Sequence, residues 1–255
     1  MTLYSDLVRN LEQLRLNTVK EYLPHYLDEN LLEQMSVVDI LKELTDKEIA
    51  VREERAAQIS LKTSNFPYQK TVADFDFAYQ PTVSRAQILD FCSLRFMESA
   101  DNILFIGPSG VGKTHLATAI GMEASRKHFS TYFIHFNTLI AKLKKAHLQN
   151  RQEIVLKCYS KYKLLIIDEI GYLPVEKTYA NLFFQLIAAR YERKSTIVTS
   201  NLPLSNWSEV FSDPVIASAI IDRLVHHSSV VKINGRSYRL KGLVPDELSS
   251  PKSSK

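Results

Sequence analysis

Residues 107–114 read Gly-Pro-Ser-Gly-Val-Gly-Lys-Thr, and the apolar run Asn102-Ile-Leu-Phe-Ile106 precedes them. The stretch fits the pattern G-x-x-x-x-G-K-[ST], a phosphate-binding loop between a strand and a helix. Glycine allows close backbone approach, so successive N–H groups can point at phosphate oxygens. Lys113 would reach the β- and γ-phosphates, and the Thr114 hydroxyl would bind Mg²⁺. The predicted nucleotide-binding residues are Gly107, Pro108, Ser109, Gly110, Val111, Gly112, Lys113 and Thr114.

A second signal lies in the apolar run Leu164-Leu-Ile-Ile-Asp168-Glu169. Ligands of parallel sheets bind outside the carboxyl ends of the strands, and an acid that ends such a strand lies there. Asp168 is predicted to hold Mg²⁺ through water, and Glu169 to take a proton from an attacking water. The alternative is an acid that only caps the next turn.

Polar and cationic groups complete the predicted site. Asn201 ends the run 196–200, and its neutral amide could orient water or touch the γ-phosphate, although Asn is also a common strand terminator. An arginine often stabilises the transition state of phosphoryl transfer. Arg190, Arg193 and Arg223 are candidates, and the alternative for each is a surface salt bridge. The phosphate loop, the two acids and the Asn201 amide together favour nucleotide hydrolysis over passive nucleotide binding.

The remaining pattern predicts the fold class. Apolar strands at 102–106, 131–136, 163–167, 195–200 and 229–233 alternate with helices at 84–97, 113–127, 138–149, 178–193 and 216–225. This alternation predicts an α/β fold, a parallel sheet covered by helices on both faces. The stretch that precedes these alternating strands and helices is rich in aromatic residues, which could pack on the domain or stack on an adenine. They are Phe66, Tyr68, Phe75, Phe77 and Tyr79.

Residues 1–65 are predicted to be helical. Leu3, Leu7, Leu11 and Leu14 form one apolar stripe at helical spacing, and Ser36-x-x-Asp39 and Thr45-x-x-Glu48 have the spacing of capping boxes at helix starts. We predict a helical region at 1–65 for partner or subunit contacts, an ATPase domain at 66–244 and a disordered tail at 245–255.

Charge is unevenly distributed along the chain, although the net charge is only +4. Residues 1–65 hold 8 Lys and Arg against 12 Asp and Glu, whereas residues 142–163 hold seven basic residues against Glu153 alone. A row of cations on a helix suits sequence-independent contact with phosphates. The predicted DNA contacts are Lys142, Lys144, Lys145 and Arg151; the alternative is a solubilising face.

Several classes of protein are disfavoured. Charged residues near the start exclude a signal peptide, and no apolar run approaches the length of a membrane span. Cys92 and Cys158 lack disulfide or zinc spacing, and both are expected inside the fold. We therefore predict a cytoplasmic protein without a membrane association.

Four stretches together resemble the IstB family, the AAA+ helper ATPases of insertion sequences, which are relatives of the DnaC helicase loaders. They are Gly107 to Thr114, Ile166-Ile-Asp-Glu-Ile-Gly171, Tyr191-Glu-Arg-Lys-Ser-Thr-Ile-Val-Thr-Ser-Asn-Leu202 and Asp222-Arg-Leu-Val-His-His227. The resemblance extends to Gly235-Arg-Ser-Tyr-Arg-Leu-Lys241. The last two of the four stretches are much more specific than the phosphate loop.

The resemblance implies a role for each matching residue. Lys113 and Thr114 would be the Walker A pair, Asp168 and Glu169 the Walker B pair, and Asn201 sensor 1. Arg223 would be the arginine finger supplied to a neighbouring subunit. Few residues follow the last strand, so the usual helical lid is expected to be missing or vestigial, and Arg236 or Arg239 would take the place of its sensing arginine.

The combined prediction is an ATP- and Mg²⁺-dependent transposition helper. It would form a homo-oligomer on duplex DNA, hydrolyse ATP and deliver target DNA to a transposase. The resemblance implies that the basic helix near 138–150 lines the central channel of this oligomer. A DnaC-like helicase loader shares the chemistry and differs in its partner. Two other classes stay open: a small-molecule P-loop kinase, and a DNA-binding scaffold that uses ATP only as a clamp.

Overall fold

The computed structural model describes residues 2–27, 35–171 and 173–241. The chain forms two compact units, and the first ends at Ile59 while the second begins at Ser60. The boundary predicted after residue 65 falls just beyond the helix Val37–Thr63, which continues across the junction of the units. The predicted tail at 245–255 lies outside the described residues.

The first unit is helical. It contains α1 (Leu3–Gln13), α2 (Asn17–Tyr22), a 3-10 helix (Leu23–Leu27) and most of α3 (Val37–Thr63). The predicted apolar stripe lies on α1 and its C-terminal cap, where Leu11 is buried whereas Leu3, Leu7 and Leu14 are exposed. The small core of this unit consists of Leu11, Val19, Leu23, Tyr26, Ile40 and Leu44.

Only one of the two predicted capping boxes starts a helix. Ser36 and Asp39 bond reciprocally before α3, with the Asp39 amide donating to the Ser36 hydroxyl and the Ser36 amide to the Asp39 carboxylate. Thr45 instead lies inside α3, and its hydroxyl donates to the carbonyl of Leu41, one turn back. The prediction of a helix start near Thr45 was wrong because α3 already begins at Val37, and the Glu48 carboxylate accepts from α2 and Arg52 instead of from the Thr45 amide.

Glu48 caps α2 from α3. Its Oε2 accepts hydrogen bonds from the amides of Thr18 at 2.8 Å and Val19 at 3.2 Å, two N-terminal donors of α2 that have no partner in that helix. Its Oε1 accepts from Arg52 Nε at 2.8 Å. Burial acts to raise the pKa of Glu48, but these hydrogen bonds together hold that pKa below its usual 4.5.

We predict that Glu48→Ala lowers the free energy of unfolding of the first unit by about 1–3 kcal/mol, because two buried amides lose their acceptor. Hydrogen exchange of the 18–22 amides measures the loss. Since the pKa of Glu48 is lower in the folded state, its stabilisation is complete above pH 4.5 and disappears as the pH falls through the folded pKa. Glu48→Gln is the matched control, which keeps an acceptor oxygen; equal exchange in all three proteins would contradict the prediction.

The second unit is built on a five-stranded parallel sheet, which confirms the predicted fold class. Its strands are β1 (Asn102–Ile106), β2 (Thr131–His135), β3 (Leu164–Ile170), β4 (Ser195–Ser200) and β5 (Ser228–Lys232), in the order β2-β3-β4-β1-β5. The helices are α4 (Arg85–Ser93), α5 (Lys113–Arg126), α6 (Phe136–Leu148), α7 (Gln152–Lys161), α8 (Lys177–Arg190), α9 (Trp207–Phe211) and α10 (Pro214–Val225).

Alternating strand residues divide the core between the two faces of the sheet. Leu104 and Ile106 of β1 join one cluster with α6, α8 and α10, and Ile103 and Phe105 join another with α4 and α5. Successive side chains of a strand point to opposite faces, which is why both sets are apolar. This doubly covered sheet brings the carboxyl ends of β1, β3 and β4 to one edge.

The structure changes several predicted boundaries. The helix expected at 138–149 begins at Phe136, directly after β2, and α7 was not predicted. Asp168 and Glu169 belong to β3 instead of following it. Cys92 is half-buried and Cys158 is exposed, so the second cysteine was wrongly expected inside the fold. Among the described helices, none is both long and apolar enough to cross a membrane.

Candidate functional site

The phosphate loop joins β1 to α5 in the geometry that the motif predicts. Gly110 and Gly112 have φ of 81° and 98°, in the left-handed region that favours glycine. A Cβ on Gly107 would collide with the carbonyl of Ile233. The Lys113 Nζ donates to the carbonyl oxygens of Gly107 and Pro108, both at 2.7 Å. Burial lowers the pKa of Lys113, and the nearby charges of Asp168 and Glu169 oppose that shift.

Asp168 joins three elements at the centre of the site. Its Oδ1 accepts hydrogen bonds from the hydroxyls of Thr114, at 2.9 Å on α5, and Thr199, at 2.6 Å on β4. The side chain is completely buried, and burial raises the pKa of Asp168 against the effect of these two hydrogen bonds. Its Oδ2 is buried without a hydrogen-bond partner.

These groups fit a magnesium ion. The Thr114 hydroxyl and the Asp168 carboxylate are both oxygen ligands, the kind that Mg²⁺ binds in nucleotide sites. The buried Oδ2 makes no hydrogen bond, although His135 Nδ1 lies 3.3 Å from it, so this oxygen keeps capacity as an acceptor for a cation. Thr114 and Asp168 are therefore the residues that would hold Mg²⁺, as the sequence predicted.

A kink in β3 directs Glu169. The pairing of β3 with β4 shifts register between Ile167 and Ile170, and Glu169 has a φ of 65°. Its amide donates to the Thr199 hydroxyl at 2.8 Å, outside the regular ladder. Such irregularities re-aim side chains beside active sites. Glu169 lines the cavity next to the phosphate loop.

Sequence reasoning missed His135, the last residue of β2. Its register partner in the sheet is Asp168, and its Nδ1 lies 3.3 Å from Asp168 Oδ2 and 3.9 Å from Glu169 Oε2. The available signal was its position at the end of a predicted strand, since all strand ends meet at this edge. A single histidine gives no motif, so only the register shows that it faces the two acids.

Asn201 lies directly after β4 and lines the same cavity as Glu169. Its Oδ1 is buried and makes no hydrogen bond. A Cβ on Gly171 would collide with that oxygen, so glycine at 171 makes room for the amide. The sheet thus brings Asn201 to the same cavity as Glu169 and the phosphate loop.

The cavity over the loop encloses about 500 Å³. Of the predicted aromatic residues, Tyr68 lines it, and Phe75 lines it while packing beneath Gly112. Residues after β5 cover another side, because the Tyr238 amide donates to the Gly110 carbonyl at 2.8 Å. The full lining comprises Tyr68, Gln69, Lys70, Asp74, Phe75, Asp76, Gln80, Ser109, Gly110, Val111, Gly112, Lys113, Thr114, His115, Glu169, Asn201, Tyr238 and Arg239.

That lining distinguishes the two arginines considered for the position of a sensing arginine, Arg236 and Arg239. Arg239 lines the cavity, and it lies close enough to Lys113 to lower the pKa of that lysine, after the larger effect of burial. Arg236 uses its carbonyl to accept a hydrogen bond from Gln80 Nε2 at 2.7 Å, and its side chain is outside the lining. The 3-10 helix Tyr238–Leu240 therefore brings one cation to the site.

Arg190 is a structural residue, so its candidacy for the ATP site was wrong. It is buried at the end of α8, where its guanidinium donates to Tyr159 O at 3.0 Å, Tyr162 O at 2.8 Å, Thr196 Oγ1 at 3.0 Å and the carbonyl of Ser195. Burial lowers the pKa of Arg190 to about 9, which leaves the group charged at neutral pH.

The other two candidates lie outside the cavity over the loop. Arg193 is exposed after α8. Arg223 is half-buried on α10, with its guanidinium 4.7 Å from the Phe184 ring centroid and Nη1 donating to the Ala219 carbonyl at 3.1 Å. Neither side chain lines the nucleotide cavity of its own chain.

We predict that Arg190→Lys destabilises the second unit by about 3 kcal/mol, because an ammonium cannot satisfy acceptors arranged for a planar fork. Denaturant unfolding measures the loss. Arg193→Lys, on the exposed side of the same turn, is the control and should unfold like the wild type. Equal stability of both variants would show that the buried hydrogen bonds are dispensable.

The four predicted DNA-binding cations differ in their surroundings. Lys142 Nζ donates to the Tyr159 hydroxyl at 3.0 Å and lies over the Tyr132 ring, while Lys144 pairs with Glu176 at 3.2 Å. Lys145 and Arg151 are exposed, at the end of α6 and before α7. The two helices form a hairpin, and Leu148 and Ile154 are exposed beside its turn.

Fold and site together define the class of protein. A parallel sheet in this strand order, with a phosphate loop after β1, two acids in β3 and an amide after β4, is a P-loop fold of the AAA+ class. The model of the family described as IstB-like ATP binding protein matches residues 9–244. The chain belongs to that family.

Relatives from insertion sequences match nearly the whole chain. An ATP-binding protein of insertion sequence IS232 from Bacillus thuringiensis subsp. berliner is 52% identical over 238 residues, 93% of this chain and 95% of the relative. The corresponding protein of IS21 from Pseudomonas aeruginosa is 39% identical over 231 residues, 91% and 87% of the two chains.

Solved structures share the fold at low identity. The DnaC helicase loader matches with a TM-score of 0.53 and 23% identity, covering 68% of this chain and 98% of that one. AMPPCP-bound DnaA from Aquifex aeolicus matches with a TM-score of 0.57 and 17% identity, covering 72% and 59%. These likenesses concern the fold alone.

Proposed function

We propose that this protein is an Mg²⁺-dependent ATPase that helps DNA transposition. It assembles on duplex DNA with ATP, hydrolyses the nucleotide and delivers the bound target to a transposase. The observation that carries the proposal is the convergence of Lys113, Thr114, Asp168, Glu169 and Asn201 at one edge of the sheet. Nucleotide binding by itself needs only the phosphate loop. The additional Glu169 carboxylate and Asn201 amide are suited to activating a water molecule for hydrolysis.

Each residue has a defined task in the proposed reaction. The amides of the loop and Lys113 hold the β- and γ-phosphates. Thr114 and Asp168 hold Mg²⁺, which when bound neutralises charge on the phosphate oxygens. Asn201 orients the attacking water, and Glu169, aimed by the kink in β3, accepts its proton. Arg239, in the cavity lining, supplies positive charge from the segment after β5.

The proposed site is completed by a second copy of the chain. Arg223 is on the surface helix α10 and outside the cavity of its own chain, so in this proposal it reaches the nucleotide of a neighbouring subunit. An arginine provided in trans makes hydrolysis depend on assembly. A homo-oligomer is therefore part of the proposed mechanism.

The names of the relatives support transposition over replication. The matching proteins from Bacillus thuringiensis and Pseudomonas aeruginosa are both ATP-binding proteins of insertion sequences, and they cover nearly the whole chain. The helicase loader shares the fold at only 23% identity. A transposase bound to the same DNA is accordingly the proposed partner, and a replicative helicase is the alternative.

We predict that Lys113→Ala abolishes ATP-dependent assembly on duplex DNA, since the phosphates lose their cation. Glu169→Gln should keep ATP binding and assembly but slow hydrolysis by about 100-fold or more, because the proton acceptor is lost. Arg223→Ala should slow hydrolysis without weakening ATP binding. Nucleotide affinity, phosphate release and sizing with ATP, ADP or no nucleotide measure these effects.

The same measurements separate the alternatives. A kinase would ignore DNA and hydrolyse nothing without its acceptor. A scaffold clamped by ATP would behave identically with Glu169 or Gln at position 169. A helicase loader would bind single-stranded DNA in preference to duplex DNA. It would also bind a replicative helicase in preference to a transposase. Failure of nucleotide to change either assembly or DNA retention would contradict both the helper and the loader.

The proposed DNA surface is the basic hairpin of α6 and α7. We expect Lys145 and Arg151 to contribute more than the other two cations, because Lys142 and Lys144 already have protein partners. We predict that Lys145→Ala with Arg151→Ala weakens duplex binding and lowers its salt slope by about two, one for each lost phosphate contact.

Lys144→Ala is the matched control for that pair, since it removes an equally exposed charge that is neutralised by Glu176. It should change the salt slope by less than either of the other substitutions. Binding of ATP should be the same in all variants. A uniform loss of binding to DNA and ATP would instead mean that the substitutions damaged the fold.

A further inference from the structure

A cluster of metal-ligand side chains lies at the edge of the sheet opposite the nucleotide site. Glu192 follows α8 and precedes β4, and His226 and His227 follow α10 and precede β5. Residues that precede parallel strands lie at the amino ends of those strands, away from the phosphate loop. The function proposed above assigns no task to this cluster.

The donor atoms have the spacing that a single ion needs. His227 Nε2 lies 3.4 Å from Glu192 Oε1, and His226 Nδ1 lies 3.9 Å from the same oxygen. All three ligand atoms lie within 4.8 Å of one another. Bonds of about 2.1 Å in a tetrahedral zinc site place neighbouring ligand atoms about 3.4 Å apart. Small side-chain rotations would therefore bring the three donors onto one metal.

The backbone that carries these donors is held by the core. The His227 carbonyl accepts from the Asn102 amide at 2.8 Å, at the start of the central strand β1, and the His226 amide bonds to Asp222 on α10. On the other side, buried Arg190 binds the Ser195 carbonyl beyond the turn that contains Glu192. Metal binding at a site already held in place has little chain entropy to overcome.

We propose that Glu192, His226 and His227 form a binding site for a divalent transition metal of the Zn²⁺ class. Two imidazoles and one carboxylate are the protein ligands of several three-ligand zinc sites, which leave a fourth position open. In the structure the Tyr191 hydroxyl contacts His226 Nδ1 at 2.6 Å, and a bound metal ion would replace this hydrogen bond. The donors are about half exposed, so the ion would be accessible to solvent or to a ligand from a partner.

Ligand type separates this site from the nucleotide site. Imidazole nitrogens favour Zn²⁺, Co²⁺, Ni²⁺ and Cu²⁺ over Mg²⁺, whereas Thr114 and Asp168 offer only oxygen. His226 is three residues after Arg223, at the end of the same helix. A bound ion would thus tie the end of α10 to the turn after α8. The metal site itself requires neither ATP nor assembly.

The test is a titration of metal-free, full-length protein with Zn²⁺, without nucleotide, followed by calorimetry. His227→Ala and Glu192→Gln should each weaken binding at this site at least about tenfold, because each removes one of three ligands. Co²⁺ as a second probe should give a visible spectrum of low-coordinate cobalt in the wild type, which the double variant His226→Ala, His227→Ala loses.

Two control variants exclude other histidines. His147→Ala, on the exposed surface of α6, should bind Zn²⁺ like the wild type. His135→Ala removes the histidine of the other candidate cluster, His135, Asp168 and Glu169, and should leave the proposed site intact. Unchanged Zn²⁺ affinity in His227→Ala and Glu192→Gln, or loss of binding only in His135→Ala, would overturn the proposal. Thermal unfolding of the metal-free variants shows that they are folded.

Discussion

The hydrogen bonds to Asp168 Oδ1 are the interaction on which the nucleotide site depends. One buried carboxylate oxygen accepts from Thr114, which starts the helix after the phosphate loop, and from Thr199, in the strand beside β3. A completely buried carboxylate is costly unless it is hydrogen-bonded. These two hydrogen bonds therefore stabilise Asp168. They also align the phosphate loop with β3, which carries the two acids, and with β4, which precedes Asn201. With Oδ1 occupied in this way, Oδ2 is left as the acceptor for a cation.

Thr199 also links this contact to the kink in β3. Its hydroxyl accepts from the Glu169 amide while donating to Asp168, so one side chain serves both acids. The left-handed φ of Glu169 is unfavourable for a residue with a side chain, and such backbone strain persists only where neighbours hold it. The two adjacent acids therefore differ in environment, since Asp168 is buried and bonded to two threonines whereas Glu169 lines the cavity. His135 contacts both from the neighbouring strand.

The opposite edge of the sheet is stabilised by a different buried charge. Arg190 satisfies four oxygen acceptors from α7, β4 and the loops beside them, and thereby joins the basic hairpin to the sheet. The aromatic residues Tyr132, Tyr159 and Tyr162 pack around the same region, and Lys142 lies over the rings of Tyr132 and Tyr159. Some of the positive charge in segment 142–163 therefore stabilises the hairpin, whereas Lys145 and Arg151, toward its turn, are exposed.

Sequence by itself determined the fold class, the phosphate loop, Asp168, Glu169 and Asn201, because glycine spacing and buried strands that end in polar residues leave local patterns. It could not determine features that depend on contacts between distant segments. Glu48 matched a local cap but binds α2, and Arg190 matched a candidate catalytic cation but is buried. His135, Arg239 and the cluster of Glu192, His226 and His227 become neighbours of their partners only through strand register and chain reversal. Tertiary structure decided these roles because burial and hydrogen-bond partners, unlike periodicity, are properties of the packed chain.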